Sequence, residues 1–209
     1  MPPEIPLVIS GAVEGPVDET VMRKLVGEAG GNLERVYGKN GKAHLRQRLS
    51  GFNQAARHAP WVVVVDLDHS ADCAPPFCQD WLPHPSAHMC FRVAVREIEA
   101  WLLADHERLA RFLSVARVRI PRDPESLHDP KVEIVNVARH SRRRDIREDM
   151  VPRPNSGRDV GPAYTSRLIE FIETEWRPEL AAQRADSLRR CRLSLKRLID
   201  NFLTGLVLA

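Results

Sequence analysis

Hydrophobic positions along the first third of the chain alternate between strand-like runs and helical spacing. Residues 5–13 are apolar and β-prone, and a Glu-Gly-Pro turn at 14–16 leads into apolar positions at helical spacing. A short strand is predicted at 33–37 and a helix at 42–58. The run at 61–65 is apolar without alternation, which is typical of a central parallel strand covered on both faces by helices. The order of these elements predicts an α/β fold with a mostly parallel sheet flanked by helices.

The remaining two thirds are predicted to hold one more strand and several helices. Prolines make most of 69–86 a loop, and the chain from Pro162 onward has apolar residues at helical spacing. The predicted elements are a turn of helix at 77–82, a strand at 89–95, helical packing over 97–113 interrupted near Asp105, and a helix at 130–140.

The pattern predicts three stretches along the chain. These are an α/β core at 1–120, a polar and arginine-rich connector at 121–161 whose middle is expected to be mobile, and a helical C-terminal part at 162–209 that packs on the core.

Composition names no partner by itself. The chain has 209 residues, of which 28% are charged, 43% hydrophobic and 6% aromatic, and these are ordinary values for a globular protein. The net charge is only +3, but arginines crowd 139–153 and 184–197. These clusters would suit contacts with phosphate, or they are solvated helix faces.

The cysteines and the apolar runs bear on compartment. Four cysteines, in a chain that opens with neither a basic leader nor an apolar run of signal length, predict free thiols and a cytoplasmic location. The longest apolar run, 61–65, is too short for a bilayer, so no membrane association is expected. Histidines and cysteines cluster between 69 and 90 but lack the paired spacing of zinc sites. Packing cysteines and solvated histidines are the preferred interpretation there.

Three acidic residues come directly after predicted strands. Glu14 follows the first strand, and Asp66 and Asp68 follow the strand at 61–65. Ligands of open α/β sheets bind at the carboxyl edge, where these residues are expected to meet. Carboxylate oxygens suit Mg²⁺ or Mn²⁺, so the pattern predicts a divalent metal site. The alternative is that they are ordinary helix caps or solvated turn residues.

The residues around this acidic set resemble a known fold family. VEGPVDETVMRKL followed by VVVVDLD resembles the Toprim pattern of topoisomerases, bacterial primases and overcoming-lysogenization-defect nucleases. Over nearly the whole chain, VEGPVDE, DLDHSADCAP, VAVREIEAWLLAD, DPK, GPAYTSRLIEFIETEW and ADSLRRC resemble the Toprim-like bacterial family catalogued as domain of unknown function 4276. The resemblance implies a Toprim-like sheet with a helical C-terminal part.

By position, the resemblance assigns roles to individual residues. It implies that Glu14, Asp66 and Asp68 are the catalytic and metal-binding set, and it adds Glu97 and Glu99 as supporting acidic residues. It also matches Lys131 and Trp101. Lys131 is either a phosphate contact or an ordinary surface lysine, whereas Trp101 is interpreted as a core residue.

The first functional hypothesis is a Mg²⁺- or Mn²⁺-dependent phosphodiesterase or nuclease acting on nucleic acid. Glu14 would serve as general acid/base or as ligand of a second ion. Neither Tyr37 nor Tyr164 stands in a context resembling the topoisomerase tyrosine, so hydrolysis is preferred over transesterification. The resemblance further implies an ATPase partner and a role as a phage-defence effector.

Two other functions stay open. One is a non-catalytic Toprim-fold binding module that docks an ATPase or nucleic acid, with 162–208 as its docking part. The other is a nucleotide-directed phosphotransferase or primase-like enzyme, for which the length leaves little room.

Overall fold

The sheet is the centre of an α/β fold, as the alternation of elements predicts. The structure is a computed structural model that describes the backbone of residues 6–208 and the side chains as far as residue 205. In these residues the sheet has four parallel strands in the order β2-β1-β3-β4 and is flanked by helices. The strands are β1 (Leu7–Val13), β2 (Gly31–Gly38), β3 (Trp61–Asp66) and β4 (Met89–Ala94).

Helices connect the strands and make up the rest of the chain, including its C-terminal part. They are α1 (Pro16–Glu28), α2 (Lys42–Ala55), α3 (Ala74–Trp81), α4 (Ile98–Ala104), α5 (His106–Phe112), α6 (Pro130–Arg139), α7 (Arg144–Met150), α8 (Tyr164–Thr174), α9 (Pro178–Ala181) and α10 (Asp186–Leu208). Short 3₁₀ turns lie at Arg117–Arg119 and Pro124–Ser126. Within residues 6–208, none of these helices has both the length and the apolar character that crossing a membrane requires.

The inner strands β1 and β3 lie side by side. They pair in parallel, with Ser10 opposite Trp61 and Ala12 opposite Val63. The valines of β3 are at most 1% exposed, which explains the unbroken apolar run. Because parallel neighbours end at the same edge, the residues that follow β1 and β3 are brought together there.

The chain forms two compact units. The first contains residues 6–93 together with 190–208, and the second contains 94–189. This division does not coincide with the predicted boundaries after 120 and after 161. The stretch predicted as a connector contributes buried side chains to the second unit, among them Ile134, Ile146 and Met150. Its apolar residues are few among many arginines, but they fall on one face of α6 and of α7.

The first unit takes its last helix from the far end of the chain. Cys191, Leu195 and Ile199 of α10 are buried in it. Arg192 of the same helix lies 3.4 Å from the Glu28 carboxylate at the end of α1. Residues separated by more than 160 positions in sequence therefore form one core.

Two tryptophans organise the second unit. Trp101 is fully buried, as predicted, and its indole N–H donates to Ser187 Oγ at 2.7 Å. The indole N–H of Trp176 donates to the Trp101 carbonyl at 3.2 Å. Glu125 accepts from the backbone N–H groups of Asp186 and Ser187 at 2.8 and 3.0 Å, and so caps the start of α10.

Some helix bounds differ from the predicted ones. α3 covers Ala74–Trp81, in a stretch predicted to be mostly loop. Its prolines lie in the first helical turn, where a missing N–H costs nothing, so they start this helix and do not break it. The helical spacing of apolar residues in α8 extends in sequence as far as Trp176. In the structure the helix ends at Thr174, and Trp176 lies in the segment that follows it.

A glycine ends the edge strand β2 at the carboxyl edge of the sheet. Gly38 has φ +90°, and a Cβ added there would overlap the carbonyl oxygen of Val13. The next residues bind the backbone around Glu14. The N–H of Lys39 donates to the Val13 carbonyl at 2.9 Å, and the N–H of Gly41 to the Glu14 carbonyl at 3.3 Å. Only glycine allows β2 and β1 to approach so closely here.

Candidate functional site

Glu14 and Asp66 meet at the carboxyl edge of the sheet. Glu14 is the first residue after β1, and Asp66 is the last residue of β3. The backbone N–H of Asp66 donates to Glu14 Oε1 at 2.8 Å. The first-strand glutamate is therefore held against the backbone of the Asp-x-Asp segment, as expected for neighbouring parallel strands.

Asp68 lies in the turn that leaves β3. It has φ +49°, in the left-handed region that aspartate tolerates better than most residues. The N–H of Ser70 closes this turn on the Leu67 carbonyl at 3.1 Å. Leu67 is fully buried, while the Asp68 side chain is 41% exposed.

Lys42 is a site residue that sequence reasoning missed. It is the first residue of α2, and its ammonium lies 2.9 Å from Asp68 Oδ2, 3.2 Å from the Leu67 carbonyl and 3.0 Å from Ser70 Oγ. It also lies 5.0 Å from the centre of the Phe77 ring. The order of the elements could have indicated Lys42, because a helix that follows a parallel strand begins at the carboxyl edge of the sheet.

The donor chemistry of this edge fits a hard divalent cation. Carboxylate oxygens are the side-chain ligands that Mg²⁺ and Mn²⁺ prefer, and Asp68 already has a positive charge beside it in the Lys42 ammonium. Within the described residues, no three His, Cys, Asp or Glu side chains are grouped closely enough to hold a metal ion.

The second unit holds the other predicted acidic residues in a cluster of its own. Glu97 precedes α4, and its Oε2 accepts from the backbone N–H of Lys131, in the first turn of α6, at 2.8 Å. The Lys131 ammonium lies 3.5 Å from Glu97 Oε1 and 3.8 Å from Glu99 Oε1. Lys131, the candidate phosphate contact, therefore faces two carboxylates of its own unit.

Glu99 is the most deeply buried of these carboxylates. It is 4% exposed, and the hydroxyl of Tyr164 donates to its Oε1 at 3.4 Å. Burial raises the pKa of Glu99; Lys131 opposes this shift and Glu97 adds to it. Burial and the neighbouring Glu99 and Glu97 raise the pKa of Tyr164 well above its ordinary value. Burial therefore favours the protonated, neutral forms of Glu99 and Tyr164.

Local partners already engage several side chains of the two basic stretches. Arg144 lies 2.7 Å from Glu148, and Lys196 lies 2.6 Å from Asp200, each one helical turn away. Arg143 pairs with Asp145, and Arg189 pairs with Asp186. These ion pairs agree with the interpretation of solvated helix faces.

All four cysteines are free, as predicted. Cys90 and Cys191 are buried, and burial raises the pKa of both thiols. A buried thiol with a raised pKa is a weak nucleophile and a weak metal ligand, so these two cysteines are packing residues.

No family model, no curated protein and no solved structure matches this chain. The resemblance to the Toprim-like family stays a prediction that depends on the motifs quoted above.

Proposed function

We propose that the first unit carries a divalent-cation-dependent phosphodiesterase site of Toprim type that acts on nucleic acid. The observation that carries this proposal is the 2.8 Å hydrogen bond from the Asp66 backbone N–H to the Glu14 carboxylate. It joins acidic residues of two neighbouring strands at the edge where α/β sheets bind ligands.

Each acidic residue has a separate task in this proposal. Asp66 and Asp68 would hold the ion, and Glu14 would act as general acid/base or as ligand to a second ion. When bound, a divalent ion supplies Lewis-acid stabilisation of phosphate charge and a more acidic bound water. The backbone N–H of Asp66 orients Glu14 and keeps its carboxylate available in one position.

Lys42 adds a positive side chain that contacts this acidic set at Asp68. Its ammonium is held by Asp68, by the Leu67 carbonyl and by Ser70 Oγ. A phosphate approaching three carboxylates meets electrostatic repulsion, and the Lys42 charge reduces that cost. Ion binding at Asp68 would compete with the Lys42 contact, so Lys42 sets how readily an ion enters.

The ion pair between Lys42 and Asp68 also favours a second candidate function. A carboxylate that already has a cationic partner is chemically satisfied without a metal. This arrangement suits a non-catalytic module that keeps the fold and docks an ATPase or nucleic acid. The two candidates differ in whether the acidic set binds a divalent ion.

The test is metal binding and cleavage measured on the same purified full-length protein. Mn²⁺ and Mg²⁺ binding is measured by calorimetry, and cleavage is measured with plasmid, single-stranded DNA and RNA. The variant Asp66→Asn/Asp68→Asn keeps side-chain shape and removes two charges. The matched control is Asp72→Asn, which removes an exposed charge from the same loop.

The proposed site predicts cleavage by the native protein and by Asp72→Asn, with a loss of at least about 100-fold in the double variant. Mn²⁺ binding should be lost in parallel. Ion binding that persists in the double variant would contradict the assignment of the site. Absence of ion binding in the native protein would favour the binding module.

A further inference from the structure

A cavity in the second unit collects basic side chains that the acidic sites do not use. Its volume is about 540 Å³, which lies in the usual range of small-ligand pockets. Its lining residues are His106, Arg117, Val118, Ile120, Arg122 and Arg184. Arg184 belongs to the second basic stretch of the sequence, whereas Arg117 and Arg122 lie outside both stretches.

Arg184 is fixed in this cavity by backbone carbonyls. Its guanidinium donates to the carbonyl of Ala104 at 3.3 Å, to that of Pro121 at 2.8 Å and to that of Arg122. Carbonyls satisfy its N–H groups without cancelling its charge. Burial and the nearby Arg117 lower the pKa of Arg184. An anion would relieve this repulsion.

The acidic residues around the cavity leave its charge positive. Arg117 lies 3.3 Å from Glu107, but Glu107 also lies 3.2 Å from Arg177. Asp123 is the acidic neighbour that attracts Arg184. The acidic partners described for Arg117 and Arg184 are thus one glutamate that is shared with Arg177 and one aspartate.

The positive charges of these arginines also act on His106. Burial lowers the pKa of His106, and the charges of Arg184 and Arg117 lower it further. The imidazole is therefore biased toward its neutral form, which can donate one hydrogen bond and accept another. Apolar lining completes the cavity, with Ile120 buried and Val118 90% exposed at its surface.

We propose that this cavity binds a small organic phosphate of about mononucleotide size. Arginine guanidinium groups match phosphate oxygens in charge and in planar geometry. The volume admits an organic group beside the phosphate, and Ile120 and Val118 give that group apolar contacts. The site does not depend on the proposed phosphodiesterase activity, because its residues and the acidic set have no member in common.

The experiment measures binding of adenosine 5′-monophosphate and inorganic phosphate to the full chain by calorimetry, with adenosine as the uncharged comparison. Arg117→Gln/Arg122→Gln removes two lining charges and leaves the Arg122 carbonyl that Arg184 uses. The matched control is Arg119→Gln, an exposed arginine of the same 3₁₀ turn outside the lining. Thermal unfolding checks that each variant folds, and Arg122→Gln alone replaces the pair if the pair does not.

The site predicts that both phosphates bind, that adenosine does not, and that the lining variant weakens binding at least ten-fold while Arg119→Gln leaves it unchanged. The bound anion should also raise the pKa of His106, followed by NMR with His106→Gln for assignment. Binding of neither phosphate at millimolar concentration, or equal binding to the lining variant, would overturn the proposal. A 5′-phosphorylated oligonucleotide that needs these arginines, with no binding of the mononucleotide, would overturn the small-ligand assignment and point to a nucleic-acid backbone.

Discussion

The two units each hold a cluster of predicted acidic residues, but they surround them differently. In the first unit, Glu14 accepts from a backbone N–H, and the Asp68 side chain is 41% exposed beside Lys42. In the second unit, Glu99 is 4% exposed, with Tyr164 and Lys131 as its neighbours. The same side-chain type is therefore kept near water in one unit and removed from it in the other.

This difference decides what each cluster can do. A half-exposed carboxylate at a strand end stays in contact with water and can exchange one cationic partner for another. A buried carboxylate loses solvation and is driven toward its protonated form. The first cluster has the solvent access that the proposed cation site requires, whereas the second resembles a buried polar network whose charge is costly.

The largest effect on the first unit is expected from a substitution of Gly38. Gly38→Ala places a Cβ on the Val13 carbonyl and keeps a residue at φ +90°. Combined overlap and backbone strain should cost about 2–5 kcal/mol of unfolding free energy and disturb the adjoining Glu14. Urea unfolding measures this. Gly51→Ala in α2, where a Cβ meets nothing within 4 Å, should instead stabilise by about 0.5–1 kcal/mol.

Removing the cation of the second cluster tests the role of burial. Lys131→Met leaves Glu97 and the buried Glu99 without their ammonium partner, which should destabilise the protein by about 1–3 kcal/mol. Lys131→Arg keeps the charge and should recover most of the loss. Unfolding in urea at pH 7 compares the two variants, and an equal loss in both would mean that packing of the stem matters more than charge.

The pH dependence of stability sharpens the contrast further. Because the folded-state pKa of Glu99 is raised, its contribution to stability falls as pH rises from the ordinary value of 4.5 toward the folded-state pKa. Glu99→Gln keeps an acceptor for Tyr164 and removes this titration. The variant should match the native protein in unfolding free energy near pH 4 and exceed it at pH 8. A constant difference between pH 4 and pH 8 would refute the buried-charge explanation.

The smallest effect is expected at Lys42. Lys42→Met removes an ion pair to a half-exposed carboxylate and should cost about 1 kcal/mol or less. If Asp68 binds a divalent ion, the same change should tighten Mn²⁺ binding by up to about five-fold, since a competing cation is gone. Calorimetry measures this. Weaker Mn²⁺ binding would show that Lys42 supports the ion site and does not compete for it.

The meeting of Glu14 with Asp66 could be predicted from the residues, because it depends on order along the chain, whereas the burial of Glu99 in a separate cluster could not. An apolar run followed by an acidic residue predicts a strand end, and the pairing of β1 with β3 in the parallel sheet brings Glu14 and Asp66 together. The contact of Lys42 with Asp68 depended on how α2 begins after the Gly38–Gly41 turn, where two glycines take positive φ. Local patterns carry little information on such a turn.

The arginine-rich middle of the chain shows that composition alone is a poor predictor of burial. Its polar composition predicted a connector, yet Ile134, Ile146 and Met150 bury their side chains in the second unit. A few apolar residues on one helix face are enough when a neighbour covers them. The basic cavity could not be predicted either, since Arg184 lies 62 positions after Arg122 in the sequence.

The first unit combines segments from the two ends of the chain, and this affects when it can fold during synthesis on the ribosome. Its core needs Cys191, Leu195 and Ile199, which are synthesised after all of residues 94–189. The second unit is continuous and has its whole sequence available earlier. The sequence of the second unit is therefore complete before that of the first, although the first unit begins earlier in the chain. The N-terminal unit thus cannot finish folding before the unit that follows it has been synthesised, in contrast to the usual N-terminal-first order.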